Sequence, residues 1–427
     1  MSQKPLFSKT LFYLLLFILP INLGSHYVVK SAYVNGLLVD YLIPTVYIQD
    51  IVAFLLLVCW FREDRKKLAV QFSGFYPQLI LVFLFAAFLS VLLAPRTIPS
   101  LSAFIRLALY CLVSIYTKSY YSTYTDKKFL VRAFTFWLIF LGMLGSMQYA
   151  KQASVFNNYL FLGEQPYSSA TPGVLKENVF NIRKIPAYGI FRHPNIFGGF
   201  MVVGLVWVLH ELKRNRKRSV VKRVSEYAAF FFGVCGLVVT FSYIAWVAGI
   251  VGMFLLLLEG RGRRFAYWAG SGLAVLVFLA ALNLNYWKLG EYLTVLPSVS
   301  KRVELLKAGK GIVLSENPFF GVGINNQTVV IEKFLVLTNY LRFVQPTHNV
   351  YVLLAGEIGI LGVALYCVLL AYSVYRAVKL DRFIVFVSLV LIVLLSSFDH
   401  YFFTIHQTLL LFWVTLGIAN SLGRGLD

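Results

Sequence analysis

The stretch His348-Asn-Val-Tyr-Val-Leu-Leu-Ala-Gly-Glu-Ile-Gly359-Ile-Leu-Gly362 governs the reading of the whole chain. Beyond Asn349 the sequence stays apolar long enough to cross a bilayer, so the histidine stands at the mouth of a membrane span, directly after a long polar loop. An imidazole titrates near neutral pH, and at a water–lipid boundary it can take a proton from a substrate that straddles that boundary. It would serve equally as an interfacial anchor, so its surroundings have to decide. Glu357 lies inside the span, where a carboxylate must be paired or line a wet cavity. Arg106, in an earlier apolar run, is its expected partner. Gly356, Gly359 and Gly362 recur every three residues, the spacing of a small-residue stripe that lets helices pack closely.

Working outward, the chain has 427 residues, 59% of them hydrophobic and only 13% charged, with a mean hydropathy of +0.75. Soluble domains are typically about 45–50% apolar, so this is a polytopic membrane protein. Runs long enough to span, or nearly so, fall at 10–24, 43–61, 77–94, 98–117, 129–149, 195–212, 226–240, 243–258, 265–283, 349–374, 383–398 and 402–420. The fold expected is therefore an all-α polytopic membrane protein of about 12 transmembrane helices. An even count puts both termini on one side. Lys4 and Lys9 before the first run read as the flank of an uncleaved span, since no small-residue cleavage site follows.

The net charge of +21 has to be sorted by membrane side before it says anything about partners. Most lysines and arginines cluster on the side of the termini, in Arg62 to Lys67, Lys213 to Arg223 and Arg261 to Arg264. The positive-inside rule makes that side cytoplasmic, and the clusters become topology determinants and contacts for anionic membrane lipids, not a nucleic-acid surface. Two substantial loops, 150–194 and 284–348, then face outward, so the chemistry is expected outside. The four cysteines, Cys59, Cys111, Cys235 and Cys367, all fall in apolar runs without pairing or metal spacing. No Walker motif, dinucleotide fingerprint or HExxH occurs, which leaves no visible cytoplasmic nucleotide machinery and no motif for a metal.

Within the second loop, residues 299–313 suit an amphipathic helix near the membrane surface, Asn317-Pro-Phe-Phe-Gly-Val-Gly323 reads as a turn, and 328–343 as a second helix. External cations are rich in arginine: Arg183 and Arg192 in the first loop, Arg302 and Arg342 in the second. Arginine grips phosphate oxygens bidentately, so an arginine-rich outer cavity points to a phosphate-bearing lipid. Phe191-Arg-His-Pro-Asn195 reads as a helix start and brings His193 to the same side as His348, as does Asp399-His400 between the last two runs.

Together these pieces resemble the O-antigen ligase and O-antigen polymerase superfamily of bacterial membrane glycosyltransferases. The ligase signature is His, then Asn, Ser or Gln, nine residues, Gly, two residues, and Gly, Thr or Tyr. His348, Asn349, Gly359 and Gly362 satisfy it, with Arg302 opening the loop helix and the 317–323 turn preceding the histidine. The likeness runs from about Arg192 to the C-terminus; the first five runs match only in hydropathy and in Tyr47-Ile-Gln-Asp50. Where members commonly carry Ser-Arg after a short helix, this chain has Ser242-Tyr243, so another cation must stand in.

The resemblance implies a GT-C-like fold divided into an N-terminal bundle (1–194) and a ligase-like domain (195–427). It implies metal-independent, cofactor-free, inverting transfer of a glycan from undecaprenyl diphosphate to an acceptor hydroxyl on the outer face of the inner membrane. His348 and Arg302 would be catalytic, Arg192, Arg183, Arg342 and Asn349 would hold the diphosphate, and His193, Glu357, Asp399 and His400 would support them. A polymerase, a protein O-oligosaccharyltransferase and a flippase or transporter are the competing readings. A transporter should carry midplane charges and related halves, whereas here the charges gather outside.

Overall fold

Each of the twelve apolar runs contains a helix in the computed structural model, which describes residues 7–121, 124–214, 219–260, 262–282, 297–335 and 344–421. They are α1 Phe7–Phe17, α2 Ile48–Glu63, α3 Phe75–Leu92, α4 Thr97–Tyr120, α5 Tyr124–Lys151, α6 Pro194–Arg214, α7 Val220–Val238, α8 Tyr243–Leu257 and α9 Arg263–Leu282. The loop helix α10 Pro297–Ser315 follows, then α11 Val350–Lys379, α12 Phe383–Phe398 and α13 His406–Asn420. Among the described residues, six helices are long and apolar enough to cross a membrane unaided: α3, α4, α5, α6, α9 and α11. The protein is thus an all-α, multi-pass membrane protein. Exposed Phe85, Leu257 and Leu276 offer apolar surface to lipid, while α12 is buried almost throughout and forms the axis of the bundle.

Without water to exclude, helices in lipid associate through close packing and polar contacts. The closest seam joins α5 and α7, where a Cβ at Gly142 would run into the backbone of Phe232 and one at Gly236 would come 2.9 Å from the Gly142 Cα. Helices from opposite ends of the chain also meet, α4 on α13 and α3 on α11. The expected pairing of Glu357 with Arg106 is not formed. Arg106 donates instead to Asp50, at 3.1 and 3.2 Å from its Nε, and Tyr110 donates to the same carboxylate at 2.7 Å. The carboxylate nearest Arg106 sits at the start of α2, a placement hydropathy alone does not reveal.

The outer face holds more structure than the loop lengths suggest. Segment 24–47 forms two antiparallel hairpins, β1 Gly24–His26 with β4 Thr45–Tyr47 and β2 Tyr33–Val34 with β3 Leu37–Leu38. A third, β5 Glu177–Val179 with β6 Ile182–Lys184, lies in the first long loop. Ala32, Val34, Val39 and Leu42 pack against Leu305, Ala308 and Ile312 of α10 and Ile331, a small apolar core outside the membrane. Burying a residue such as Leu305 there contributes roughly 1.5–3 kcal/mol. The amphipathic helix expected at 299–313 is present as α10. Of the helix expected at 328–343 only a short turn, Gln327–Val330 continuing to Phe334, is described; Arg342 lies outside the described residues.

Candidate active site

Three element ends and one helical turn meet at one point: the starts of α6 and α11, the end of α12 and the second turn of α10. Asn349 caps α11 by accepting from the Val352 N–H at 3.0 Å, and its amide donates to the Ser397 carbonyl at 2.9 Å. The cap contributes about 1 kcal/mol and fixes where His348 leaves the helix axis. Across from it, Asp399 accepts from Asn195 Nδ2 at 2.9 Å and from the His400 N–H at 2.8 Å, with Arg302 Nη2 3.8 Å away. The His348 and His400 rings meet edge to face, centroids 4.9 Å apart. Pro194 opens α6, as its fixed φ favours, and His193 Nδ1 accepts from the Asn195 N–H at 3.1 Å. Arg302, His348 and Asn349 share a cavity of about 30 Å³ with Ala281, Leu306, Ser397 and Phe398.

Burial would raise the Asp399 carboxyl, but His348, His400, Arg302 and His193 around it hold it well below the usual carboxylate range. Burial pushes the His348 imidazole down, to about 3, against the pull of Asp399. It lowers His193 to about 4 in the same way, and lowers His400 as well. At neutral pH the centre is therefore one carboxylate and one guanidinium among neutral imidazoles. A neutral imidazole is the form that accepts a proton. The buried Nδ1 of His348 has no hydrogen-bond partner within the protein.

The ligating atoms of His348, Asp399 and His400 lie within 4.8 Å of one another, close enough to hold a metal ion. Asp399 already accepts from Asn195 and His400, and the Arg302 guanidinium 3.8 Å away opposes a second cation.

The glycine stripe proves to be a break, not a helix seam. Gly359 has φ 79° and ψ 177°, a region open essentially only to glycine, and interrupts α11. The 317–323 turn fills the gap: Val322 N donates to Gly356 O at 2.9 Å, Gly323 N to Glu357 O at 3.0 Å, and Ile360 N to Pro318 O at 2.8 Å. Glu357 accepts from Gln327 N at 3.3 Å, and Gln327 Oε1 accepts from Thr347 N at 2.8 Å. Thr347 Oγ1 donates to Leu305 O at 3.1 Å. The motif glycine, the turn and Glu357 thus brace the residue before His348 against the helix that carries Arg302.

Of the expected site residues, His348, Asn349, Arg302, His193, Asp399 and His400 are brought together. Glu357 sits deeper and acts through Gln327. Arg183 is exposed on β6, and Arg192 turns to His26, Nη2 to Nε2 at 3.0 Å. Two neighbours carried no motif. Tyr41, in the segment between the first two helices, lies edge-on to His400 at 5.5 Å. Glu177, at the base of the β5–β6 hairpin, has its carboxyl raised by burial against the opposing field of Arg302. Only the polarity of segment 24–47 between two apolar runs could have flagged Tyr41.

No curated protein gives a significant match to the chain. The segment from α7 through α10 to His348 and the Gly359 break, residues 228–367, matches a family model described as O-antigen ligase, and over that segment the chain is similar to the O-antigen ligase-like superfamily.

Proposed function

We propose that the protein transfers a glycan from undecaprenyl diphosphate to an acceptor hydroxyl on the external face of the inner membrane, in the manner of an O-antigen ligase. The observation that carries this reading is the convergence of a half-buried, neutral imidazole and a guanidinium in one cavity at the start of α11. In the step envisaged, the acceptor hydroxyl gives its proton to His348 as its oxygen bonds to the anomeric carbon. The bond from that carbon to the phosphate oxygen breaks, and the diphosphate leaves with the electron pair. Arg302 offsets the charge that develops on it, and attack opposite the leaving group inverts the centre. Arginines would take over the electrostatic task a metal performs elsewhere. Asp399 and His400 would orient the imidazole, with Asn195, His193 and Asn349 holding the frame, and Arg183 is the second cation offered to the donor.

An apolar groove of about 510 Å³ runs from this point along α9, α10 and α11, past Phe278, Leu314, Tyr351 and Val363 with Lys310 on its wall. Tyr351 and Val352 follow His348 within one helical turn, so an isoprenoid lying there would present its diphosphate to Arg302. Ligase is preferred over polymerase because the histidine motif is intact, whereas Arg302 is followed, after ten intervening residues, by Val313 instead of the glycine of some polymerases. A glycolipid gel from a strain lacking the protein tests this. Loss of all polymer from the acceptor, with lipid-linked polymer accumulating, is the expected result; a single capping repeat would mean polymerase, and an unchanged pattern would reject transfer.

A further inference from the structure

Arg192 does not join Arg302. Its field reaches both Tyr41 and His26, and Tyr41 in turn abuts His400. Its Nη2 lies 3.0 Å from His26 Nε2, and its buried Nε has no hydrogen-bond partner. Among the described residues no carboxylate forms an ion pair with it; Asp40 is the acid felt by His26, and it pairs with neither. His26 is exposed and meets two rings edge-on, Tyr159 at 5.9 Å and Tyr47 at 6.3 Å. The Tyr159 hydroxyl anchors this arrangement by accepting from Gly24 N at 3.1 Å. Burial and the guanidinium hold His26 below the ordinary imidazole range, so Arg192 carries the charge.

A guanidinium without an acid partner is a binding group for phosphate or carboxylate, and a partly exposed phenol and imidazole beside it offer faces and polar edges to a sugar ring. We propose that Arg192, His26 and Tyr159 form a subsite for an anionic sugar, one bearing phosphate or a carboxylate, linked to the proposed proton-transfer centre through Tyr41, which abuts His400. It rests on the glycan-transfer reading for its purpose. None of the three residues lines the apolar groove, which is bounded by Phe278, Leu314 and Tyr351. The anionic sugar belongs either to the acceptor or to the glycan being transferred.

The test uses the full chain in nanodiscs with Arg302→Ala, which removes the cation assigned to the donor phosphate. Glucose 6-phosphate and glucuronate are titrated as probes, with glucose as the neutral control. Both charged probes should bind at least about tenfold more tightly than glucose, and His26→Ala or Arg192→Gln should each erase about tenfold of that difference. His26 is exposed, so its replacement leaves folding intact. In the Arg302-containing protein, His26→Ala should raise KM for the acceptor alone if the sugar is the acceptor's, or for the lipid-linked donor alone if it belongs to the transferred glycan. Equal binding of charged and neutral probes, or charged-probe binding indifferent to both substitutions, overturns the subsite. Probe binding does not depend on turnover, so a failure of the transfer reading in the strain test leaves this result standing or falling by itself.

Discussion

Replacing Gly359 by alanine tests the brace behind His348. An alanine there must hold φ 79° and ψ 177°, which costs roughly 1–3 kcal/mol for any residue with a Cβ. Its Cβ would also run into the carbonyl of Phe319, a backbone atom that no rotamer change can move. Forcing the two apart adds about 1–3 kcal/mol of overpacking. The combined destabilisation is about 2–6 kcal/mol if the turn stays in place. The turn can yield instead; Gln327 and Thr347 then lose their register and His348 shifts, and a shift of about 1 Å costs on the order of a hundredfold in rate. Either way transfer collapses. The measurement pairs thermal unfolding of the detergent-solubilised protein with transfer rates in vesicles. Gly356→Ala, whose Cβ meets only the end of the Gln327 side chain at 2.9 Å, should be mild, and Gly272→Ala, with nothing within 4 Å, silent. Gly359→Ala with wild-type melting and wild-type turnover would refute the brace.

His348→Ala should lower transfer by about 10²–10⁴-fold while the protein still inserts, read by the glycolipid gel and by membrane abundance; near-normal activity in both His348→Ala and His348→Asn would leave the histidine an anchor. Arg302→Lys keeps the charge and loses the planar fork, so a large activity loss is expected, and turnover should persist in EDTA; chelator-sensitive turnover rescued by a divalent ion would overturn the metal-free step. Because His348 is held down to about 3, its base form is complete above that value and is lost only as pH falls through it. Activity should therefore be level from pH 7 to 5, and an acidic limb centred near 6.5 would contradict the buried imidazole. The same depression, below the unfolded value of about 6.5, means the unfolded chain binds more protons between the two, so stability should fall as pH drops below about 6.5. A reporter fused after Asp427 should be active only in the cytoplasm; activity outside would sink the even span count.

Hydropathy located all twelve helices because runs such as 383–398 are too apolar to be anything else, and the histidine motif located the centre because Gly359 and Asn349 are dictated by local backbone geometry. Asp399-His400 was expected on the same side as His348, but nothing in the sequence says that Asn195 holds its carboxylate from two hundred residues away. The glycine stripe was misread since its spacing fits a helix seam; only the 317–323 turn, filling the gap, shows that one of the three must be a break. Arg106 went to Asp50 and not Glu357 because carboxylates on several helices were equally available to it in one dimension. Tyr41 lies in segment 24–47, whose packing on α10 is set by tertiary contacts, and Glu177 in the short β5–β6 hairpin; local patterning carries no information on where either side chain ends up.

The packing of segment 24–47 against α10, with Asp399 and His400 supplied by the end of α12, bears on biogenesis. The earliest external residues to leave the insertion machinery must wait for nearly the whole polypeptide before their partners exist. Until α12 has been threaded into the bilayer, His348 has no carboxylate beside it and the outer apolar core is half built. A nascent chain held at the insertion site therefore lacks the assembled cluster, and on the transfer reading proposed above it cannot discharge a lipid-linked glycan during synthesis.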